Sequence, residues 1–259
     1  MNKVEILGVK IDSLSLQEVL ATVEQFLASK NKYYIVTPNP EFLVAAQKDK
    51  NFAEILNYAD IAIADGIGLG WAAKKQGQRL QRITGVDLMW HLCELAEQKG
   101  YPIYLFGGAD QIAKQTAEVL REYFPNLKIA GAKSGGEISS DGRLTEDESV
   151  IEKINEVKPK IIFVALGQVK QEKWIFRHLD QMTSVKIAMG VGGAFDYISG
   201  NVTRAPELLR NLGLEWLYRL IKEPWRWKRI ANAVIIFPLL VYKERIFGRN
   251  KKTESEQSE

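Results

Sequence analysis

The chain has 259 residues, of which 46% are hydrophobic and 26% are charged, a composition typical of a globular protein with a substantial core. The single cysteine, Cys93, excludes an internal disulfide, and two histidines without a Cys/His cluster argue against a zinc site. The net charge of +3 is unevenly spread, because residues 204–252 contain twelve Lys and Arg against four Glu, a net charge of +8. This asymmetry predicts an anionic partner for the C-terminal segment.

The order of apolar runs predicts the fold class. Six short, β-branched runs recur, and most of them are followed by glycine or a small polar residue and then by a helical pattern. The runs are 33–36, 61–64, 103–106, 127–130, 161–165 and 187–191. The alternation predicts an α/β fold over 1–203, with a Rossmann-like, mostly parallel sheet and helices on both faces.

Both ends of the chain differ from this pattern. Residues 4–11 are a candidate further strand before a helix at 16–29. No apolar run at the N-terminus resembles a signal peptide, so we expect a cytoplasmic protein. Residues 253–259 are polar and predict a disordered tail.

The second predicted strand ends at an acid. Residues 61–64 are followed by Asp65 and then by three alternating glycines that open a helical pattern from Trp71. This position is the carboxyl end of a strand, where open α/β sheets bind ligands. Two interpretations stay open, namely a cap of the following helix and a catalytic or binding carboxylate. The glycines do not complete a G-x-G-x-x-G fingerprint, because its sixth position is Trp71.

Other strand ends carry polar side chains and glycines. Thr37 and Asn39 stand in a proline-containing loop, where they can serve a ligand or simply form a turn and a helix cap. The glycines at 107–108 and 190–193 can expose backbone N–H groups to a phosphate or form ordinary turns into helices.

Two further polar positions are candidates for ligand contact. Arg82 lies outside the capping pair of Thr84 and Asp87, which leaves it free for a phosphate or substrate. Gln171 and Glu172 come early in a helix after Gly167, where they face either the ligand edge of the sheet or solvent.

The C-terminal segment, residues 204–252, combines aromatic, apolar and basic residues and predicts a helical appendage that associates with membranes. Its apolar run, 230–241, would span only about 18 Å as a helix, less than the roughly 30 Å of a bilayer core. Basic residues beside aromatic ones favour a segment that lies in the interface of an anionic membrane. The alternatives are a helix docked on the domain, a dimer contact and, less favoured because of the apolar run, a nucleic-acid site.

The motifs at these strand ends resemble those of the WecG/TagA/CpsF glycosyltransferases over about residues 4–247. They are Thr37-Pro38-Asn39, Ala64-Asp65-Gly66, Arg82-Ile83-Thr84-Gly85-Val86-Asp87, Gly107-Gly108, Gln171-Glu172, Gly192-Gly193-Ala194-Phe195-Asp196, Arg204-Ala205-Pro206, Gly213-Leu214-Glu215-Trp216-Leu217-Tyr218-Arg219-Leu220, and Glu223-Pro224 with Arg226. Two places differ from the family pattern: Val169 stands where the family usually has proline, and Ser134-Gly135-Gly136-Glu137 replaces an often aromatic piece.

The resemblance implies an inverting transfer of N-acetylmannosamine from UDP to the 4-hydroxyl of GlcNAc on undecaprenyl diphosphate, an early step of wall teichoic acid synthesis. It implies no cofactor and no metal, and the sequence accordingly lacks an Asp-x-Asp pair. Related members use other UDP-sugars, so the donor sugar stays open. The partners implied are the UDP-sugar, the lipid-diphosphate acceptor and the inner face of the cell membrane, with no nucleic acid.

The implied reaction and the positions of the residues together give a hypothesis for their roles. An inverting displacement needs a base for the acceptor hydroxyl, and Asp65 is the acid best placed by its strand end. Thr37 and Asn39 would position the acceptor or Asp65. The donor contacts are Arg82 and Gln171. The nucleotide contacts are Gly192, Gly193 and Asp196. The cations over the diphosphate are Arg219, Arg226 and Arg229.

Two other function classes compete with glycosyl transfer. An NAD-dependent oxidoreductase is disfavoured by the incomplete glycine fingerprint and by the lack of an acid about 20 residues further on. A non-catalytic membrane-binding or nucleic-acid-binding module would use only the basic C-terminus. The oligomeric state stays open, because Leu209, Leu212 and Leu217 can bury against the core, a second subunit in a homo-oligomer, or lipid.

Overall fold

Strands form at the apolar, β-branched runs and helices at the periodic segments between them. The computed structural model describes the backbone of residues 2–256 and the side chains of residues 2–210 and 212–246. The strands are β1 (Lys3–Ile6), β2 (Val9–Asp12), β3 (Tyr33–Val36), β4 (Ile61–Ala62), β5 (Ile103–Gly107), β6 (Ile129–Lys133), β7 (Ile161–Ala165) and β8 (Ile187–Gly190). The helices of the α/β part are α1 (Leu16–Ala28), α2 (Pro40–Ala46), α3 (Lys50–Tyr58), α4 (Ile67–Lys75), α5 (Gly85–Lys99), α6 (Ile112–Tyr123), α7 (Asp147–Val157), α8 (Lys170–His178) and α9 (Ala194–Ile198).

Six strands form one parallel sheet in the spatial order β4-β3-β8-β7-β5-β6. Alternate residues of β3, β4, β5, β7 and β8 enter two separate cores, as the two-residue period of a strand requires. In β7, for example, Ile162 and Val164 pack into the core that contains Phe52 of α3 and Trp174 of α8. Ile161 and Phe163 pack into the core that contains Leu88 of α5. Helices therefore cover both faces, and the predicted α/β fold class is confirmed.

The N-terminal residues do not form the single further strand predicted at 4–11. They form a β1–β2 hairpin with its own two-stranded antiparallel sheet. The two residues between the strands, Leu7 and Gly8, both have positive φ angles, 51° and 76°. Two consecutive residues with positive φ are typical of a tight hairpin turn. The chain therefore reverses direction at residues 7 and 8, where the prediction had one continuous strand.

Several element boundaries also differ from the predictions. The run predicted at 127–130 forms β6 at Ile129–Lys133, the run at 61–64 is a strand only at Ile61–Ala62, and α4 starts at Ile67 rather than at Trp71. The first turn of α4 packs closely on α2. A Cβ atom at Gly68 would lie 2.6 Å from Cγ of Pro40, so only glycine permits a helix there.

The C-terminal segment is helical, as predicted, and packs on the α/β part. It contains α10 (Glu207–Asn211), α11 (Glu215–Lys222), α12 (Trp227–Ala231), a π-helical turn (Asn232–Ile236) and α13 (Phe237–Glu256). The π turn precedes Pro238, which lacks an N–H and would crowd the carbonyl four residues earlier in an α-helix. Within the described residues, no helix is long and apolar enough to cross a bilayer.

Contacts of α13 with α2, α4 and the β1–β2 hairpin hold the C-terminal segment on the α/β part. Phe237 is fully buried and Val241 nearly so, both in the core that also contains α2 and α4. The rings of Trp71 and Tyr242 lie 5.9 Å apart, and Leu7 N donates to Glu244 at 3.3 Å. A disordered tail was predicted at residues 253–259. In the structure, α13 continues to Glu256, and residues 257–259 lie outside the described residues.

The packing of Phe237 makes a prediction about the docking of the C-terminal segment. Removing this buried ring in Phe237→Ala should cost about 3–5 kcal/mol of local stability, and limited proteolysis within 204–246 should become faster. Leu239→Ala is the matched control on the same helix, since that side chain is 60% exposed. Equal cleavage rates for Phe237→Ala and wild type would contradict the docking.

Candidate functional site

The carboxyl ends of the parallel strands and the C-terminal segment enclose a cavity of about 900 Å³. Its floor is formed by the loops after β3, β4, β5, β7 and β8, and its roof by residues from α11 to the start of α13. All of the predicted site residues line this cavity. They are Thr37, Asn39, Asp65, Arg82, Gln171, Gly192, Gly193, Asp196, Arg219, Arg226 and Arg229.

Asp65 lies on the floor and does not cap the helix that follows it. The N-cap of α4 is Gly66, which has φ 101° and makes no side-chain cap hydrogen bond. Instead, Asp65 Oδ2 accepts from Gly85 N, the first residue of α5, at 3.2 Å. The capping interpretation for α4 is therefore wrong, and the carboxylate points toward a helix N-terminus on the neighbouring loop.

Burial raises the pKa of Asp65 from its ordinary value of 3.8 to about 6. The Gly85 N–H and the Arg82 guanidinium act in the opposite direction, while the carboxylates of Glu215 and Asp87 add to the rise. A carboxylate with this pKa is ionised at neutral pH and is a stronger base than a free aspartate. The electrostatics fit a general base.

Thr37 and Asn39 occupy different parts of the loop after β3. A Cβ atom at Gly85 would lie 3.0 Å from Thr37 Oγ1 and 3.9 Å from Asp65 Oδ2, so the hydroxyl, the carboxylate and the start of α5 form one cluster. Asn39 caps α2, because its Oδ1 accepts from Phe42 N at 3.1 Å. Its amide nitrogen is the polar group that remains for a ligand.

Arg82 is not free, contrary to the sequence-based prediction. Its Nη1 donates to Arg210 O at 2.9 Å, and its Nη2 pairs with Glu215 Oε2 at 3.0 Å. Its Nε is buried and has no partner among the described residues. Arg82 thus joins the floor of the cavity to the roof.

A second arginine makes a similar connection. Arg204 donates from Nη1 and Nη2 to the two carboxylate oxygens of Asp87 at 2.7 Å and 3.0 Å, and from Nη2 to Thr84 Oγ1 at 3.1 Å. Arg204 and Glu215 both line the cavity and were quoted in the motifs above without a role. The opposite charges of Arg82 and Glu215, and of Asp87 and Arg204, are the signal in the sequence that could have indicated these pairs. Each pair is more than 100 residues apart, however, and the sequence contains other charged residues that could have been chosen as partners.

Gln171 and Glu172 are buried, so their interpretation as a solvated helix face is wrong. Gln171 Oε1 accepts from Gly192 N at 3.0 Å, and its Nε2 donates to Glu172 Oε1 at 2.6 Å. Gln171 therefore supports the glycine loop after β8. Asp196 lies in the first turn of α9, directly after that loop.

The three roof arginines each lie within 4 Å of a carboxylate, and Arg229 also forms a hydrogen bond with it. Arg219 Nε and Arg226 Nε lie 3.7 Å and 3.0 Å from Glu223 Oε2. Arg229 Nε pairs with Glu41 Oε2 at 2.7 Å and its Nη2 donates to Gln168 at 3.1 Å. Hydrogen bonds within the described part of the chain do not involve the Nη groups of Arg219 and Arg226, which leaves them for an anion.

Tyr197 shapes the position of Arg219. The guanidinium lies 5.2 Å from the centre of the tyrosine ring, a cation–π distance. Burial raises the pKa of Tyr197 to about 12, so the phenol stays neutral.

Where side chains are described, no group of three or more His, Cys, Asp or Glu could hold a metal ion.

A sequence model described as "Glycosyl transferase WecG/TagA/CpsF family" matches residues 4–251. The chain belongs to this family. It is 37% identical over 233 residues to a Bacillus subtilis (strain 168) protein named N-acetylglucosaminyldiphosphoundecaprenol N-acetyl-beta-D-mannosaminyltransferase, covering 89% of this chain and 86% of the relative. A Staphylococcus aureus (strain MRSA252) protein of the same name is 34% identical over 244 residues, 93% of this chain and 91% of that one. The resemblance seen in the motifs is confirmed.

In this WecG/TagA/CpsF family member, the raised pKa of Asp65 has a consequence for stability. Ionising the folded carboxylate costs free energy above about pH 6, and the cost shrinks as the pH falls toward 3.8. Asp65→Asn removes that cost, so the variant should have a higher Tm than wild type at about pH 8 and a smaller advantage at about pH 5.

The measurement is thermal unfolding at both pH values. Asp180→Asn is the control, because that residue is exposed and does not line the cavity. An Asp65→Asn variant no more stable than wild type at the higher pH would contradict the buried charge.

Proposed function

We propose that this protein transfers N-acetylmannosamine from UDP to the 4-hydroxyl of GlcNAc on undecaprenyl diphosphate. The observation that carries the proposal is one cavity with an ionisable carboxylate of raised pKa on its floor and three arginines in its roof. The donor and acceptor are those of the relatives' names and family. The alternative is the same reaction with another UDP-sugar. Comparing the activity with a panel of UDP-sugars distinguishes the two.

Asp65 supplies the base in this reaction. The acceptor hydroxyl gives its proton to the carboxylate as its oxygen attacks the anomeric carbon of the donor from the side opposite UDP. The new glycosidic bond forms as the bond to the phosphate oxygen breaks, and the configuration inverts. Thr37 lies beside Asp65 and is placed to hold the same hydroxyl, while Asn39 contributes its amide nitrogen to the acceptor.

The roof arginines offset the charge of the UDP that leaves. A diphosphate gains negative charge as the sugar departs, and fixed guanidinium groups stabilise that charge without a metal ion or other cofactor. Arg219 and Arg226 share Glu223 and keep their Nη groups, whereas Arg229 is already used by Glu41 and Gln168. We therefore assign the first two to the diphosphate and Arg229 to the wall beside it.

The nucleotide occupies the loop after β8 in this proposal. Gly192 and Gly193 let a phosphate or ribose approach the backbone closely, and Asp196 is the acceptor for nucleotide hydroxyls in the turn that follows. Gln171 supports that loop. Arg82 lines the same cavity and contributes its charge to the donor site, while its Nη groups are held by Arg210 O and Glu215.

The inner face of the cell membrane is the proposed place of action, because the acceptor is attached to a polyprenyl lipid. Most of the exposed large apolar side chains lie between residues 208 and 246. Ile221 and Trp225 are each 71% exposed, beside Lys222 and Arg226. Exposed apolar and aromatic groups beside cations are the composition of an interfacial segment.

The reaction is tested by UDP release from purified protein with UDP-N-acetylmannosamine, a lipid-diphosphate-GlcNAc analogue and EDTA. Asp65→Ala should reduce acceptor-dependent release by about 10²–10⁴-fold, the usual contribution of a general base. Wild-type kcat/KM should fall as the pH drops through about 6, where Asp65 takes up a proton. Asp180→Ala, an exposed carboxylate away from the cavity, should keep wild-type activity.

Two results would contradict the proposal. One is full acceptor-dependent activity of Asp65→Ala. The other is the absence of UDP release by wild type with every UDP-sugar of the panel.

Membrane association is tested by sedimentation with vesicles that contain phosphatidylglycerol. Trp225→Ser combined with Ile221→Ser should reduce the bound fraction, because two exposed apolar anchors are lost. Tyr123→Ser is the control, since Tyr123 is 64% exposed but belongs to α6. Equal binding by the double variant and wild type would argue against this face.

A further inference from the structure

Glu172 is a buried carboxylate that the proposed mechanism does not use. It stands in the first turn of α8 and is 1% exposed. No Lys, Arg or His of the described side chains forms an ion pair with it, and burial raises its pKa to about 7. A carboxyl group placed in such surroundings reduces stability unless its hydrogen bonds compensate.

The two oxygens of Glu172 accept hydrogen bonds from two different groups, one in the loop before α8 and one in α8 itself. Oε2 accepts from Val169 N at 2.7 Å, and Oε1 accepts from Gln171 Nε2 at 2.6 Å. Both oxygens accept in this arrangement, so the amide of Gln171 presents its nitrogen to Glu172. The amide oxygen then faces the other way and accepts from Gly192 N at 3.0 Å. Glu172 thereby determines which end of Gln171 meets the glycine loop.

Close packing shows that the loop after β8 is built against this pair. A Cβ atom at Gly190 would lie 2.6 Å from Glu172 Oε1 and 2.7 Å from Gln171 Nε2. Only glycine leaves room for the two polar side chains at the end of β8. Residues 190–193 all line the cavity, so the pair supports its wall from behind.

The loop before α8, which contains Val169 and contacts Glu172 directly, is strained. Val169 has φ 72°, a left-handed conformation that is unfavourable for a β-branched residue. Its N–H is the group that Glu172 accepts. The adjacent Gly167 and Gln168 line the cavity. The carboxylate therefore contacts this loop directly and reaches the loop after β8 through Gln171.

We propose that Glu172 is a positioning residue that orients Gln171 and, through it, holds the Gly192 loop in the conformation that receives the nucleotide. The link to the nucleotide rests on the function proposed above, whereas the link to the loop rests on the hydrogen bonds alone.

The test is Glu172→Gln, which keeps the size of the side chain but places an NH2 group against either Val169 N–H or Gln171 Nε2. The dissociation constant of UDP and KM for the UDP-sugar should rise about tenfold, the effect of losing one hydrogen bond to a charged group, while kcat changes less. Amide hydrogen exchange in peptides covering 190–193 should become faster.

Asp147→Asn is the matched control. Asp147 also accepts one side-chain and one backbone N–H, from Trp174 Nε1 at 2.6 Å and Leu144 N at 3.1 Å, but it does not line the cavity. This variant should lower Tm without changing UDP affinity or exchange at 190–193. A purely structural Glu172 would behave in the same way.

Wild-type UDP affinity and wild-type exchange in Glu172→Gln would overturn the proposal. If that variant does not fold, Gln171→Met decides, because it keeps the side-chain length but cannot accept from Gly192 N. Faster exchange at 190–193 supports the relay, and unchanged exchange overturns it. Failure of wild type to bind UDP would refute the proposed function, while the exchange comparison would still decide the role of Glu172.

Discussion

The site depends on keeping one half-buried carboxylate ionisable. Burial is the main cause of the raised pKa of Asp65, and two nearby carboxylates add to the rise. The N–H of Gly85 and the charge of Arg82 limit it. The balance leaves a group that is charged at neutral pH and can still accept a proton, which is the compromise a general base needs.

The cations of the cavity are positioned by carboxylates of the same chain. Glu215 holds Arg82, Glu223 lies between Arg219 and Arg226, and Glu41 holds Arg229. Such pairs reduce the repulsion among clustered guanidinium groups and limit the rotamers that each can adopt. Because Glu215, Arg219, Arg226 and Arg229 come from the C-terminal segment, the cavity is complete only when that segment is docked.

Much of the fold could be predicted because its causes are local. Short, β-branched apolar runs located the strands, and helical periodicity located the helices between them. The errors lie where a few backbone angles or one close contact decide. The left-handed pair Leu7 and Gly8 turns one predicted strand into a hairpin, and the first turn of α4, which the prediction missed, is close enough to Pro40 to require glycine at 68.

The sequence predicted which residues belong to the candidate site but not which of them pair with each other. By itself, the sequence determined that Asp65, the glycine loops and the C-terminal arginines belong together, because parallel strands bring their carboxyl ends to one edge and the motifs match a family. Only the tertiary structure decided that Arg82 pairs with Glu215, that Asp65 does not cap α4, and that Glu172 is buried behind Gln171. These features join residues distant along the chain or on different loops, and no local periodicity records such partners; burial and hydrogen bonding select them when the chain folds.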